Sequence, residues 1–289
     1  MRRPRLFTTL AAAALAAITG LSGASPAAAI TGGTEDTQNR YSTVGMIVFY
    51  DGTGGRFRCS ATLMTPTVLL TAAHCTDGTV GKTIVNFSWE IARQAPSGLP
   101  VADPAVGYTG SVVDAQNRTW LAGTAHTHPN YSNFTDTRNW NDVGVVVLDS
   151  PVTGVATSRL APGGYLDRFA QPALNKTLVT LVGYGTEVRK ADSGPQTPTP
   201  QSFPIVRRYT DEVGQKLTPQ ILQTNGNDKD NRGGGGSCFG DSGGPSFKDG
   251  RVVTVTSYGY TNNCRYLGGL QRVDIPVVQG WLAGFGVTP

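Results

Sequence analysis

From residue 30 onward the chain is broken into short apolar runs separated by glycines and polar clusters, and this rhythm restricts its fold more than any other feature. Runs at 44–50, 60–65, 68–71, 82–87, 143–148, 177–182, 251–256 and 270–273 are four to seven residues long, and several are rich in valine, isoleucine or threonine. Branched side chains pack well on a pleated surface. Runs of this length between turn clusters read as strands. The 37 glycines and 18 prolines supply the turns. No helical period is sustained until the end of the chain. There Val277, Val278, Trp281 and Leu282 share one helical face, Pro276 lies near the first turn, and Asp274 is expected to cap it. The pattern predicts an all-β fold, a sandwich or barrel, closed by a short C-terminal helix.

The first 29 residues stand apart. Arg2, Arg3 and Arg5 precede an alanine-rich apolar run and the small-residue sequence Ala27-Ala28-Ala29. This is the pattern of a secretory signal peptide, and its apolar run is too short to span a bilayer well. The leader carries three arginines and no acid, so the net charge of +4 falls by three, to +1, once it is removed. That balance gives no support to nucleic-acid binding. With 39% apolar and only 15% charged residues, the remainder can bury a real core. The four cysteines, Cys59, Cys75, Cys238 and Cys264, form an even set in an exported chain, which suggests two disulfides with three possible pairings. A zinc site would call for a CxxC pair, and none occurs.

Three segments carry chemistry. In Gly240-Asp241-Ser242-Gly243-Gly244-Pro245 a serine sits among glycines, which let the chain turn tightly and aim backbone N–H groups at one spot. Such donors can hold the negative oxygen formed when a hydroxyl attacks a carbonyl. Thr71-Ala72-Ala73-His74-Cys75 supplies a histidine for proton transfer. Asn141-Asp142-Val143-Gly144-Val145-Val146-Val147-Leu148 supplies a carboxylate at the mouth of an apolar strand, where it would fix the imidazole tautomer. Its rivals are Asp136 and Asp149, neither of which directly precedes such a run. His126 and His128 read as ordinary loop residues. There is no acidic calcium loop after His74, no phosphate loop and no cofactor motif, so no metal and no cofactor is expected.

The order His74, Asp142, Ser242 resembles the trypsin/chymotrypsin family of serine proteases. The resemblance implies two antiparallel six-stranded β-barrels with the active site between them. The protease domain would run over residues 30–289, with an N-terminal barrel at about 30–160 and a C-terminal barrel at about 161–289, after a signal peptide at 1–29. It implies disulfides Cys59–Cys75 and Cys238–Cys264, bracing the histidine and serine loops. It implies an oxyanion hole from the N–H groups of Gly240 and Ser242. Removal of the leader would expose Ile30-Thr31-Gly32-Gly33, similar to the family's mature start, and the new Ile30 amine would pair with Asp241. Because no further segment separates Ala29 from Ile30, signal cleavage itself is expected to make the active start. The spacing of 68 residues from His74 to Asp142 implies an insertion between 88 and 120.

By the same resemblance Gly236 lies at the base of the primary specificity pocket, with Gly259 and Gly268 keeping the walls open and Ser257 and Tyr258 meeting the substrate backbone. No acid occupies position 236, so a slot for a large apolar or aromatic side chain is expected, with Asp228 and Asp230 as the nearby acids from which a basic preference would otherwise come. The expected function is a secreted, extracellular serine endopeptidase, a monomer acting on protein or peptide substrates, open to proteinaceous inhibitors, with no nucleic-acid partner and no membrane association after leader removal. The alternatives are a non-catalytic secreted binding module on the same fold and a secreted esterase using the same acyl chemistry.

Overall fold

Alternation along β1 (Val44–Asp51) shows how the sequence builds the architecture. Ile47 and Phe49 point into one apolar cluster, while Val44, Met46 and Val48 join another on the opposite face. A strand buried on both sides needs non-polar residues at successive positions, which this one has from Val44 to Tyr50. The computed structural model describes residues 30–189, 199–227, 230–231 and 234–289. The predicted signal peptide and Asp228 lie outside the described residues.

β1 is followed by β2 (Arg56–Thr65), β3 (Val68–Thr71), β4 (Thr79–Asn86), β5 (Thr119–Thr127) and β6 (Gly144–Leu148). They pair in the closed antiparallel order β1-β2-β3-β6-β5-β4 and back to β1. The second half holds β7 (Leu178–Gly183), β8 (Arg208–Leu217), β9 (Ile221–Asn225), β10 (Pro245–Lys248), β11 (Arg251–Gly259) and β12 (Leu267–Arg272). These close as β7-β8-β9-β12-β11-β10. The fold is thus two closed six-stranded antiparallel barrels, and the second repeats the connectivity of the first strand for strand. Closure removes the free edges that an open sheet would expose.

Ile47, Leu63, Leu69 and Val146 fill the first barrel, and Val179, Leu181, Leu222 and Leu270 the second. A third cluster welds the two: Val68, Leu70 and Val145 pack against Val252, Val255 and Val273. The ends of the described chain cross over. Thr34–Glu35 pairs with β8 of the second barrel, so the first residues belong to that barrel rather than to the one they precede. The C-terminal helix α1 (Pro276–Ala283) joins the shared cluster through Val278 and Leu282, and its Trp281 ring lies 5.0 Å from His128 on the first barrel's side. His128 is accordingly buried packing rather than an ordinary loop residue.

The helix starts one residue later than its expected cap. Ile275 occupies the cap position and no side chain caps it. Asp274 is instead buried, accepting from the Leu166 N–H at 2.7 Å and pairing with Arg272 at 2.9 Å. Its carboxylate ties the inter-barrel linker to β12. Within the region expected to hold an insertion, Glu90–Ala92 pairs with Ile205–Val206, and Tyr108 is buried beside Trp120. No helix among the described residues is long and apolar enough to cross a membrane.

Candidate active site

The histidine loop is shaped by what lies beneath it. After β3 the chain makes a short 3₁₀ turn over Ala73–Cys75, and Ala72, Ala73 and Cys75 are fully buried. Small residues there let the turn settle on β6, where a Cβ at Gly144 would come within 2.7 Å of the Ala72 carbonyl. The Cys59–Cys75 disulfide fixes the turn to β2. His74 is thereby presented to solvent with its backbone and ring both facing Asp142.

Asp142 is completely buried and holds His74 twice. The His74 N–H donates to Oδ1 at 2.9 Å, and the imidazole Nδ1 lies 2.8 Å from Oδ2. Ser257 Oγ donates to the same Oδ2 at 2.6 Å, and the Trp140 indole N–H donates to Ser257 at 3.0 Å. The Asp142 N–H in turn donates to the Gln271 side chain at 3.1 Å. Three donors thus converge on one buried carboxyl group, which fixes its orientation. With Nδ1 committed to Asp142, Nε2 is the nitrogen left for chemistry.

Ser242 lines the same cleft as His74, a space of about 310 Å³. Its loop is pinned from both sides: the Ser60 N–H donates to the Ser242 carbonyl at 2.8 Å, and the Gly243 N–H to Thr256 at 2.8 Å. Gly243 has φ of +75°, and a Cβ there would lie 2.0 Å from Thr71 Oγ1, so only glycine lets the loop approach β3. Among the described residues, Ser242 Oγ, His74 Nε2 and the N–H groups of Gly240 and Ser242 have no hydrogen-bond partner. Catalytic hydrogen bonds often tighten only when substrate is bound.

Asp241 turns inward. Its carboxylate accepts from the Gly185 N–H at 2.7 Å and the Cys238 N–H at 2.8 Å. It lies so close over Gly185 that a Cβ there would meet Oδ2 at 2.2 Å. Burial pushes its carboxyl up to about 7, against the opposing charges of Arg58 and Arg208. The pair expected with Ile30 belongs to a chain cut after Ala29; in the uncut chain the Ile30 nitrogen is an amide and carries no charge. Ile30 is nevertheless fully buried, and Thr31 exchanges both backbone hydrogen bonds with Gly236 at 3.0 and 2.9 Å.

Gly236, Gly259 and Gly268 line one small inner cavity of about 10 Å³. It shares Ser237, Gly259, Thr261 and Cys264 with the outer cleft, so it is that cleft's inner end. The Cys238–Cys264 disulfide joins the serine loop to the pocket wall. Tyr258 faces the outer cleft, 5.1 Å from the Trp140 ring. Ser257 serves Asp142, a role its sequence position did not reveal. Asp230 lines a different depression with Thr34 and Tyr209 and bonds Asn225, so it does not enter the pocket.

The acid at the inner end is one that the motifs did not announce. Glu212, on β8, is buried and lines the inner cavity. It accepts from the Ser237 N–H at 3.2 Å and from Thr224 Oγ1 at 2.5 Å. Burial pushes its carboxyl up to about 7; the two hydrogen bonds oppose that rise and the charge of Asp241 adds to it.

Comparison with known proteins agrees with this geometry. The family model described as Trypsin matches residues 30–281. A trypsin from Saccharopolyspora erythraea is 27% identical over 210 residues, covering 71% of this chain and 77% of the relative. A brachyurin from Leptuca pugilator is 27% identical over 237 residues, covering 81% and 88%. Among solved structures, one described as HL collagenase superposes with a TM-score of 0.62 at 17% identity, over 90% of this chain and 100% of the other. Human heparin binding protein does so at 0.59 and 17%, over 90% and 98%.

Proposed function

The chain belongs to the trypsin family of serine endopeptidases, and from that premise we propose that it is a secreted enzyme using Ser242, His74 and Asp142 as its catalytic triad. The observation that carries the assignment is the double hold of one buried carboxylate on His74, in the cleft that Ser242 lines. Ser242 Oγ attacks the scissile carbonyl while His74 Nε2 takes its proton, and Asp142 steadies the imidazolium that results. The free N–H groups of Gly240 and Ser242 receive the oxyanion, each such donor being worth roughly 3 kcal/mol of barrier. His74 then returns the proton to the leaving amine, and water repeats the sequence on the acyl-enzyme.

Cleavage after Ala29 would convert the Ile30 nitrogen into an ammonium group. That charge suits Asp241, whose burial is otherwise costly, and the pair would order the loop carrying the oxyanion donors. The glycine at position 236 taken alone would suit a large apolar or aromatic P1 residue, the one on the acyl side of the cleaved bond. The carboxyl group of Glu212 at the floor competes with that preference.

The test is hydrolysis of a chromogenic peptide panel by protein beginning at Ile30, beside Ser242→Ala. The variant is expected to lose at least about 10⁴-fold in kcat with its melting temperature kept. Equal turnover by the two proteins would defeat the assignment. N-terminal sequencing of the secreted protein is expected to read Ile-Thr-Gly-Gly; a start upstream of Ile30 would exclude activation by signal cleavage.

A further inference from the structure

The inner cavity is not lined only by glycine and backbone. Glu212 reaches it from β8, a strand remote in sequence from the serine loop, and its Oε2 lies 3.8 Å from where a Cβ of Gly268 would stand. Thr224 Oγ1 and Ser237 Oγ lie at 3.3 and 3.7 Å from the same point, so one carboxyl and two hydroxyl groups converge on one spot. Among the described residues Glu212 forms no ion pair, and the charged group that acts on it is Asp241, also negative. A buried carboxylate facing a cavity without a cation gains more from an entering positive charge than from any apolar group. The cavity's 10 Å³ is the space of about one water molecule. It therefore takes the end of a side chain, while the stem lies in the 310 Å³ outer cleft.

Resting on the endopeptidase reading, we propose that Glu212 is the specificity-determining residue of this enzyme and selects substrates with lysine or arginine at P1. The acid missing at Gly236 is supplied from the adjoining strand, with Thr224 and the Ser237 N–H orienting its two oxygens. Small walls at Gly236, Gly259 and Gly268 are what let a cationic side chain reach that depth. The expected preference is thus the reverse of the one read from position 236 alone.

The experiment compares kcat/KM for P1 Lys, Arg, Phe and Leu peptides in wild type and Glu212→Gln, the amide keeping both hydrogen bonds. Wild type is expected to favour Lys and Arg over Phe and Leu by at least tenfold. Glu212→Gln is expected to lose about a hundredfold on the basic peptides, the range for unpairing a buried charge contact, and to stay within about threefold on Phe and Leu. A wild type that favours Phe or Leu overturns the proposal while leaving the endopeptidase reading intact. So does an equal loss on all four peptides, the mark of a merely structural role. Absence of Ser242-dependent turnover on every peptide defeats the endopeptidase reading itself. Binding of benzamidine, a planar cation, to Ser242→Ala with and without Glu212→Gln then decides the pocket separately: weaker binding in the double variant supports it, and equal binding overturns it.

Discussion

As candidates, His74 and Ser242 stood out in the sequence because their neighbours serve backbone geometry rather than packing, and Asp142 because it heads an apolar strand. Alanines flank the histidine so that its turn can settle on β6, and glycines flank the serine so that its loop can touch β3. Glu212 was not readable. It lies 24 residues before Gly236 in a polar stretch, Arg208-Tyr209-Thr210-Asp211-Glu212, and nothing local separates it from the solvent-facing Asp211. Only closure of β8 onto β9, and of β9 onto β12, carries it to the pocket floor. Its titration gives a test at this scale. A carboxyl held up to about 7 is neutral below that pH and charged above it. The ratio of kcat/KM for a P1 Lys peptide to that for a P1 Phe peptide is expected to rise between pH 5 and 8, since effects on the shared chemical step act on both alike and cancel. In Glu212→Gln the ratio is expected to be flat across that range.

At the level of elements, the apolar barrel strands were legible and the polar ones were not. β1, β3 and β6 are nearly continuous apolar runs because both faces are covered. By contrast β5 carries Ala, Gly, Thr and His, and β8 carries four charged residues, Arg208, Asp211, Glu212 and Lys216. Their membership of a sheet is set by partners on either side rather than by their own propensity. β9 and β10 are short and mix polar with apolar residues, Ile-Leu-Gln-Thr-Asn and Pro-Ser-Phe-Lys, so no apolar run declares itself. The two disulfides act on different elements and should be separable. Cys238–Cys264 closes a 26-residue span that contains the nucleophile and one pocket wall. Replacing both its cysteines by alanine is expected to cost about 3 kcal/mol, read from the urea midpoint. It should also raise KM by loosening the wall. Alanines at Cys59 and Cys75, which tether only the histidine turn, should act on kcat instead.

For the molecule as a whole, the repeated barrel connectivity left no trace of repetition in the sequence. Two closed barrels require only the same order of pairing, and each fills its interior with a different set of side chains. The crossing of the chain ends was equally invisible, since it depends on where the second barrel lies when the first residues arrive. Global stability should report the charge state of the nucleophile loop. Asp241 is held near 7 when folded, far above its ordinary 3.8. Between about pH 4 and 7 the unfolded chain releases this proton while the folded chain keeps it, so stability falls as pH rises through that window. Protein retaining residues before Ile30 is expected to show this fall in its urea midpoint. Protein beginning at Ile30, in the Ser242→Ala background, should lose less, because an ammonium group then balances the carboxylate; identical profiles would exclude that pairing.

The bridge between Thr31 and Gly236 stands while the bond between Ala29 and Ile30 is intact. If Ile30 is the mature start, as proposed, a cut at that bond would change the charge on one nitrogen while the bridge at Thr31 is already in place. Such a protein would have little dormant shape to undo, and restraint before release would fall to geography, the side of a membrane on which the leader is removed.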